Sequence, residues 1–152
     1  MTILSGPSIR ERNIFKPFSE RQKFNGMSYG LSYAGYDIRL DQEVNIQPGG
    51  FCLASTYEHF TMPNDVLGIV HDKSTLARLG IALQNTVIEP GWKGYLTVEI
   101  TNHSDKPIWL PPLSPIAQII FHLLDKPIEQ AYNGKYQDQK RGVQEAIIEK
   151  DA

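Results

Sequence analysis

Short apolar runs separated by turn residues dominate this sequence. Ten prolines and twelve glycines are spread along the chain and divide it into these short pieces. Evenly spaced short strands of this kind are typical of an all-β sandwich or barrel. The predicted strands are residues 35–40, 50–55, 66–71, 81–88 with a turn near Asn85, 95–102, 108–110 and 116–123.

Two segments carry helical signals instead. Residues 5–15 are weakly helical, with Pro7 near the start, and we expect a short helix lying outside the barrel. Residues 72–80 give the clearer signal, because Asp72 or Ser74 can cap the N-terminus and Gly80 can supply the left-handed residue that ends a helix. The pattern predicts a very short helix there.

One predicted strand alternates regularly and carries a charged residue. In residues 95–101, alternate side chains point to opposite faces of a sheet. One face comprises Leu96, Val98 and Ile100, and the other comprises Tyr95, Thr97, Glu99 and Thr101. The alternation predicts that Glu99 faces away from the core, where a glutamate is most often an ordinary solvated charge.

The second helical segment contains a candidate anion site. Residues four apart share one face of a helix, which places Ser74 beside Arg78. The first backbone N–H groups of a helix lack internal partners, and with Lys73 next to them they can hold phosphate oxygens. The alternative is a capped surface turn with solvated Lys73 and Arg78. Glu89 precedes a Pro-Gly-Trp turn signal, and it is either a further site carboxylate or a solvated loop charge.

Length and charge restrict the class of protein further. At 152 residues the chain is long enough for one domain, which we assign to residues 1–152. The formal net charge of -2 gives no broad positive field, so we expect no nucleic-acid partner. No apolar run has the length of a signal peptide or a membrane span, and Cys52 is the single cysteine. We therefore expect a cytoplasmic protein without a disulfide or a membrane partner.

The residues present exclude several routes to hydrolysis. His59, His71, His103 and His122 lack metal-ligand spacing, and no His-x-Glu precedes a Pro-Cys-x-x-Cys segment, which excludes a zinc-dependent nucleoside deaminase. The sequence contains neither a Gly-x-Ser-x-Gly elbow nor a P-loop. Cys52 lies in an apolar run and is predicted to be a core residue rather than a nucleophile.

Several separated segments together resemble the dCTP deaminase branch of the dUTPase-like superfamily. The segments are KSTLARLG, IEPGWKGYLTVE, PIAQIIF and YNGKYQDQ, and GYDIRL is similar to the first motif of that superfamily. The resemblance covers residues 29–139. It implies a distorted jelly-roll β-barrel that assembles as a homotrimer, with active sites between subunits. It also implies a nucleoside triphosphate substrate bound as its Mg²⁺ complex, without zinc.

The resemblance also implies roles for individual residues. Glu99 is the implied general base and proton shuttle, and Ser74 and Arg78 position and polarise the reacting base and water. The other implied substrate contacts are Lys73, Thr75, Leu76 and Ala77 on the phosphate side, Glu89 near the deoxyribose, Thr97 and Val98 beside Glu99, and Gln118, Tyr132, Lys135 and Gln139 from the last strand and the lid. Residues 127–152 are this C-terminal lid or tail, which the pattern alone leaves as either a mobile end or a segment that folds over something.

The leading interpretation is hydrolytic deamination of dCTP to dUTP and ammonia. Trp92 and the retained Glu99 favour a deaminase over a plain dUTPase. The nearest alternative is a dUTP diphosphatase, or a bifunctional enzyme, because Glu89 could activate water at the α-phosphate. A second alternative is a non-catalytic trimeric module that binds a nucleotide. This last reading is favoured by the interval from Arg78 to Glu89, which is shorter than in typical dCTP deaminases and contains the hairpin expected to recognise the base.

Overall fold

The fold is built mainly from β-strands. The computed structural model describes residues 2–151, which contain thirteen strands and two short helices. The helices are α1 (Gly6–Glu11) and α2 (Ser74–Ala77). The strands are β1 (Thr2–Ile3), β2 (Phe15–Lys16), β3 (Gln22–Phe24), β4 (Met27–Leu31), β5 (Tyr36–Arg39), β6 (Val44–Ile46), β7 (Phe51–Thr61), β8 (Val66–Asp72), β9 (Ile81–Leu83), β10 (Val87–Ile88), β11 (Lys93–Asn102), β12 (Ile108–Leu110) and β13 (Pro115–Leu123). Within residues 2–151 no helix is long and apolar enough to cross a membrane.

The strands form two main sheets. The larger sheet has seven strands in the order β10-β8-β13-β5-β4-β3, with β1 also paired to β13. The smaller sheet has the order β2-β7-β11-β9, and β12 pairs with β6 separately. Neighbouring strands run antiparallel in both sheets. The prediction of an all-β, jelly-roll type of fold is confirmed.

Four aromatic rings join the two sheets at the centre of the core. Phe15 of β2 stacks on Tyr36 of β5, with ring centroids 3.8 Å apart. It also contacts the edges of Phe60 on β7 and Phe121 on β13 at centroid distances of 4.8 and 5.8 Å. All four side chains are buried. Because the rings come from both sheets, their contacts hold the sheets face to face.

A buried ion pair also connects the two sheets. Arg39 of β5 donates from Nε to Oε2 of Glu58 on β7 at 2.8 Å, and its backbone N–H donates to Oε1 at 2.9 Å. Glu58 is fully buried. The guanidinium carbon of Arg39 lies 4.2 and 4.8 Å from the ring centroids of Tyr29 and Tyr57. These contacts replace the water that both charges lose on folding.

The longest strand is underestimated by the sequence pattern. The predicted strand 50–55 covers only the first half of β7, which begins at Phe51 and continues to Thr61. The continuation contains two buried polar residues, Thr56 and Glu58, at positions that face the core. A strand is recognised in a sequence by apolar residues at the positions that face the core. Because these positions are polar here, the sequence does not predict the second half of β7.

The prediction of a hairpin over residues 81–88 is wrong. Its two halves are the strands β9 and β10, which belong to different sheets, because β9 pairs with β11 and β10 pairs with β8. The connecting residues 84–86 are exposed. This segment therefore crosses from the smaller sheet to the larger one.

Both predicted helices exist; α1 is shorter than predicted, and α2 is as short as predicted. α1 does not lie wholly outside the barrel, because Ile9 is buried in the core. The residue that caps α2 is Lys73, and no side chain caps this helix. Asp72 instead accepts the backbone N–H of Leu83 at 2.7 Å, so the cap predicted from Asp72 or Ser74 is wrong. Gly80 has a φ of 90°, as predicted for the end of this segment.

Removing Arg39 should destabilise the fold strongly. Arg39→Leu leaves the Glu58 carboxylate buried without its partner, and loss of one member of a buried ion pair costs about 3–5 kcal/mol. Urea unfolding followed by circular dichroism measures the effect. The control is Arg10→Leu, which removes an exposed bridge to Glu20 and should change stability little. An unfolding midpoint of Arg39→Leu equal to that of the unchanged protein would contradict the prediction.

Candidate active site

A cavity of about 550 Å³ lies beside the outer face of β11. Most of its wall is apolar, including Phe51, Leu53 and Trp92. Polar groups from separate elements converge on it, and five of the predicted site residues are among the lining: Glu89, Thr97, Glu99, Tyr132 and Gln139. A mainly apolar cleft of this size with a few convergent polar groups is typical of a small-molecule site.

Glu99 is the carboxylate that β11 holds against the cavity. Val98 and Ile100 on either side of it point into the core, so Glu99 points outward, as predicted. Its direct neighbour across the strand pair is Leu53 of β7. Oε1 of Glu99 is buried and has no hydrogen-bond partner among residues 2–151. The carboxyl is therefore half-buried beside apolar groups rather than fully solvated.

The surroundings of Glu99 favour its protonated form. Burial raises the pKa of the Glu99 carboxyl above its ordinary value. A carboxyl with a raised pKa can serve both as acceptor and as donor of a proton. Glu89 lines the same cavity but is exposed. The two carboxyl groups of the cavity thus differ in their solvation.

The residues predicted on α2 do not line this cavity. Ser74, Thr75, Ala77 and Arg78 are exposed, and Leu76 packs in the core. Arg78 donates from Nη1 to the backbone carbonyl of Ser74 at 3.2 Å. A single chain therefore does not bring Ser74 and Arg78 to the cavity that contains Glu99.

Lys73 is directed into the protein. Its Nζ lies 3.2 Å from Oδ1 of Asp37 and 3.2 Å from Oγ of Ser28. Burial raises the pKa of the Asp37 carboxyl, and the Lys73 ammonium opposes that rise. Asp37 belongs to the GYDIRL motif, which thus supplies the counter-ion of Lys73. The phosphate role of Lys73 stays a prediction.

Three further predicted contacts also lie outside this cavity. Val98 is buried on the core face of β11. Gln118 is half-buried on β13, between Asp37 and His71 in the strand register. Lys135 donates from Nζ to the carbonyl of Ile147 at 2.6 Å and borders a second cavity of about 260 Å³ within the tail. Their contacts with a substrate stay predictions.

The described part of the C-terminal tail folds over the smaller sheet. Trp92 donates from Nε1 to the carbonyl of Tyr136 at 2.6 Å. Gln139 donates from Nε2 to the carbonyl of Tyr95 at 2.8 Å and to Oγ1 of Thr97 at 2.7 Å. Of the two possibilities left open by the sequence, the structure shows a segment that folds over a surface.

The lining residues that sequence reasoning did not assign to the site include Phe51, Leu53, Tyr136 and Gln144. The first two occupy alternate positions of β7, so the period-2 pattern of that strand carries a signal for them. Tyr136 and Gln144 come from the irregular tail, where no periodicity indicates direction. Within residues 2–151 no group of three or more His, Cys, Asp and Glu side chains is arranged to hold a metal ion.

Solved structures with a similar fold include dUTPases. The EIAV dUTPase has a TM-score of 0.59 and 20% identity, and the match covers 80% of this chain and 97% of that one. The dUTPase of Staphylococcus bacteriophage 80alpha has a TM-score of 0.58 and 16% identity, with coverage of 79% and 93%. At these identities the comparison shows a dUTPase-like fold.

The sequence comparisons define the family more narrowly. Residues 34–124 match the family of dCTP deaminase-like proteins. A dCTP deaminase of Campylobacter concisus is 37% identical, with coverage of 86% of this chain and 88% of the relative. A dCTP deaminase of Acidobacterium capsulatum is 36% identical, with coverage of 92% and 96%. The chain belongs to the dCTP deaminase-like family, and it is an enzyme of that kind.

Replacing Glu99 by glutamine should stabilise the protein at neutral pH. A carboxyl whose pKa is raised by folding binds its proton more tightly in the folded state, so its ionisation destabilises the fold as the pH rises. The gain in the free energy of unfolding from Glu99→Gln should be complete at pH values above the pKa of Glu99 in the folded protein. It should vanish below pH 4.5, the ordinary pKa of a glutamate carboxyl. Thermal unfolding measured from acid to neutral pH tests this, with exposed Glu129→Gln as the control. A gain that does not depend on pH would refute the prediction.

Proposed function

We propose that this protein hydrolyses dCTP to dUTP and ammonia without zinc, with Glu99 as the acid/base group. One observation carries the proposal: a carboxyl with a raised pKa and an unpartnered Oε1 faces a cavity of nucleoside size. The relatives named dCTP deaminase support the choice of substrate. The implied trimer and the 127–152 lid within a single domain are part of the proposal.

The chemistry requires one group that moves protons twice. The Glu99 carboxylate takes a proton from water as the oxygen attacks C4 of cytosine, and the proton passes to N3. A second proton from the new hydroxyl reaches the amino group, which leaves as ammonia while the C4–O bond becomes a carbonyl. A positioned acid/base group contributes about 10²- to 10⁴-fold to such steps. Exclusion of water by Leu53 and the tail strengthens the electrostatic contacts of this centre.

Ser74 and Arg78 enter the proposal through a second copy of the chain. Both are exposed on or next to α2, and within one chain neither lines the cavity of Glu99. If these residues polarise the reacting base and water, another subunit has to bring them to the cavity. The exposed Thr75 and Ala77 and the turn around them then lie on the phosphate side of the proposed site.

Magnesium is proposed to arrive with the triphosphate. Mg²⁺ keeps several waters and binds mainly through phosphates and one or two carboxylates. The described residues offer no acidic cluster that would hold it alone, and the exposed carboxylate of Glu89 is the one available at the cavity. A dUTPase of phage phi11 with a similar fold coordinates a structural Mg(II) ion. When bound, the ion would offset the negative charge of the phosphates.

The second candidate activity is cleavage of dUTP to dUMP and pyrophosphate, alone or after deamination. The observation that favours it is the presence of Glu89 at the same cavity as Glu99. The Glu89 carboxylate can act as the general base that takes a proton from a water molecule attacking phosphorus.

Incubation with Mg²⁺ and dCTP, and separately with dUTP, distinguishes these activities. We expect ammonia and dUTP from dCTP, with a loss of about 10²- to 10⁴-fold in kcat for Glu99→Gln and little change in binding. Product chromatography and an ammonia assay measure both. Pyrophosphate from dUTP would support the diphosphatase, and nucleotide binding without turnover would support a non-catalytic module. Near-normal turnover by Glu99→Gln would refute the role of Glu99.

Mixing two inactive variants tests whether the site lies between subunits. Glu99→Gln and Arg78→Ala should each be inactive, and reassembly of an equal mixture should restore activity to about one quarter of the normal value, because each intact site needs one chain of each kind in the correct order. The control mixture pairs Glu99→Gln with the double variant Glu99→Gln/Arg78→Ala and should stay inactive. Absence of recovery despite confirmed mixed assembly would place the site within one chain.

A further inference from the structure

Two hydroxyl groups lie side by side on the outer face of the smaller sheet. Thr97 of β11 and Ser55 of β7 are direct partners in the antiparallel register. Facing pairs in such a register have closely spaced side chains. The two hydroxyls therefore form one small polar patch, which we call the hydroxyl pair. Its member Thr97 lies two residues before Glu99 on β11.

The C-terminal tail uses both members of the hydroxyl pair as acceptors. The backbone N–H of Gly142 donates to Oγ of Ser55 at 3.1 Å, and the backbone N–H of Gln144 donates to Oγ1 of Thr97 at 3.0 Å. Gln139 adds a third bond, from Nε2 to Oγ1 of Thr97 at 2.7 Å. Gly142 and Gln144, two alternate residues of the tail, thus each donate a backbone hydrogen bond to one of two adjacent strands.

These contacts occupy the acceptor capacity of Thr97. A hydroxyl has two acceptor lone pairs and one proton to donate. Gln139 and Gln144 fill both acceptor positions of Oγ1. In the closed arrangement, Thr97 is therefore engaged with the tail, although the family resemblance implies contact with the substrate.

The tail residues held in this way form part of the cavity wall. Gln139 and Gln144 both line the cavity that contains Glu99, and Ala146 follows them along the wall. We propose that Ser55 and Thr97 are positioning residues that dock the C-terminal tail and thereby close the cavity over Glu99. The docking itself does not depend on which substrate is turned over, but its effect on catalysis rests on the proposed function.

A second anchor of different chemistry lies next to Gly142 in the tail. Arg141 forms an ion pair with Asp41, and its guanidinium carbon lies 4.5 Å from the ring centroid of Tyr95 and 5.4 Å from that of Tyr57. This contact is exposed, so salt weakens it, whereas the hydrogen bonds of the hydroxyl pair are partly buried. Loss of the hydroxyls should loosen the tail even where the Arg141 contact persists.

Trypsin digestion of the full chain measures the docking directly. The bonds after Lys140 and Arg141 lie in the docked segment, and cleavage of a transiently open segment follows the population of the open form. Thr97→Val removes the acceptor with little change of shape, and it should speed cleavage at these bonds by about 3- to 10-fold per hydrogen bond lost. Ser55→Ala should act in the same direction. Thr97→Ser keeps a hydroxyl and should restore protection.

Two controls separate docking from general unfolding. Thr101→Val makes the same change on the same face of β11, and it should leave tail cleavage unchanged, since no tail residue bonds to Thr101 among residues 2–151. The bond after buried Arg39 reports global unfolding and should stay protected in every variant used. Equal tail cleavage in Thr97→Val and the unchanged protein, or equal acceleration by Thr101→Val, would overturn the proposal.

Steady-state kinetics with Mg²⁺ and dCTP give an independent readout. Docking that favours the closed form should make Thr97→Val raise KM by at most the factor seen in cleavage, with a small change in kcat and recovery in Thr97→Ser. A raised KM without faster tail cleavage would mean that Thr97 contacts the substrate directly, and this would overturn the proposal. Faster cleavage in a protein that turns over no dCTP would support the docking while refuting the proposed function.

Discussion

The register of β11 against β7 is the constraint on which the site depends. Because side chains alternate between the two faces of a strand, a shift of one residue would turn Glu99 into the core and Val98 out towards the cavity. Val98 and Ile100 pack in the core and fix the register. The same register places Leu53 opposite Glu99, so an apolar neighbour excludes water from the carboxyl. Apolar packing on one face thus positions the polar chemistry of the other.

An irregularity in this strand pair has a second consequence. Residues 56–58 of β7 lie opposite Leu96 alone, so the Leu96 backbone loses a regular partner in the ladder. Its N–H instead donates to Oγ1 of Thr56 at 3.0 Å, which keeps the interruption hydrogen-bonded. Such interruptions bend a strand and redirect its side chains. Here Glu58 is placed in the core, where Arg39 neutralises it, and the two sheets are joined next to the surface that carries the tail.

Local periodicity predicts the fold class and the part of the site that lies on one strand. The alternation in residues 95–101 places Glu99 outside the core, because β11 keeps that alternation around it. It does not reveal the inward ion pair of Lys73 or the division of residues 81–88 between two sheets, since both depend on partners far along the chain. Arg78 is assigned through family resemblance, and one chain does not bring it to the cavity. Desolvation of Glu99 also escapes the sequence, because the groups that surround it come from another strand and from the tail.

In the proposed assembly, two opposing effects determine the proton affinity of Glu99. The strands and tail of one chain exclude water from the carboxyl and favour its protonated form. Arg78 stands exposed on the surface, so its charge does not oppose this effect within the same chain. A guanidinium brought to the cavity by a second subunit would favour the ionised form, which is the form that takes a proton from water. Assembly would therefore lower the proton affinity that desolvation raises, and a carboxyl under both influences can act first as base and then as acid.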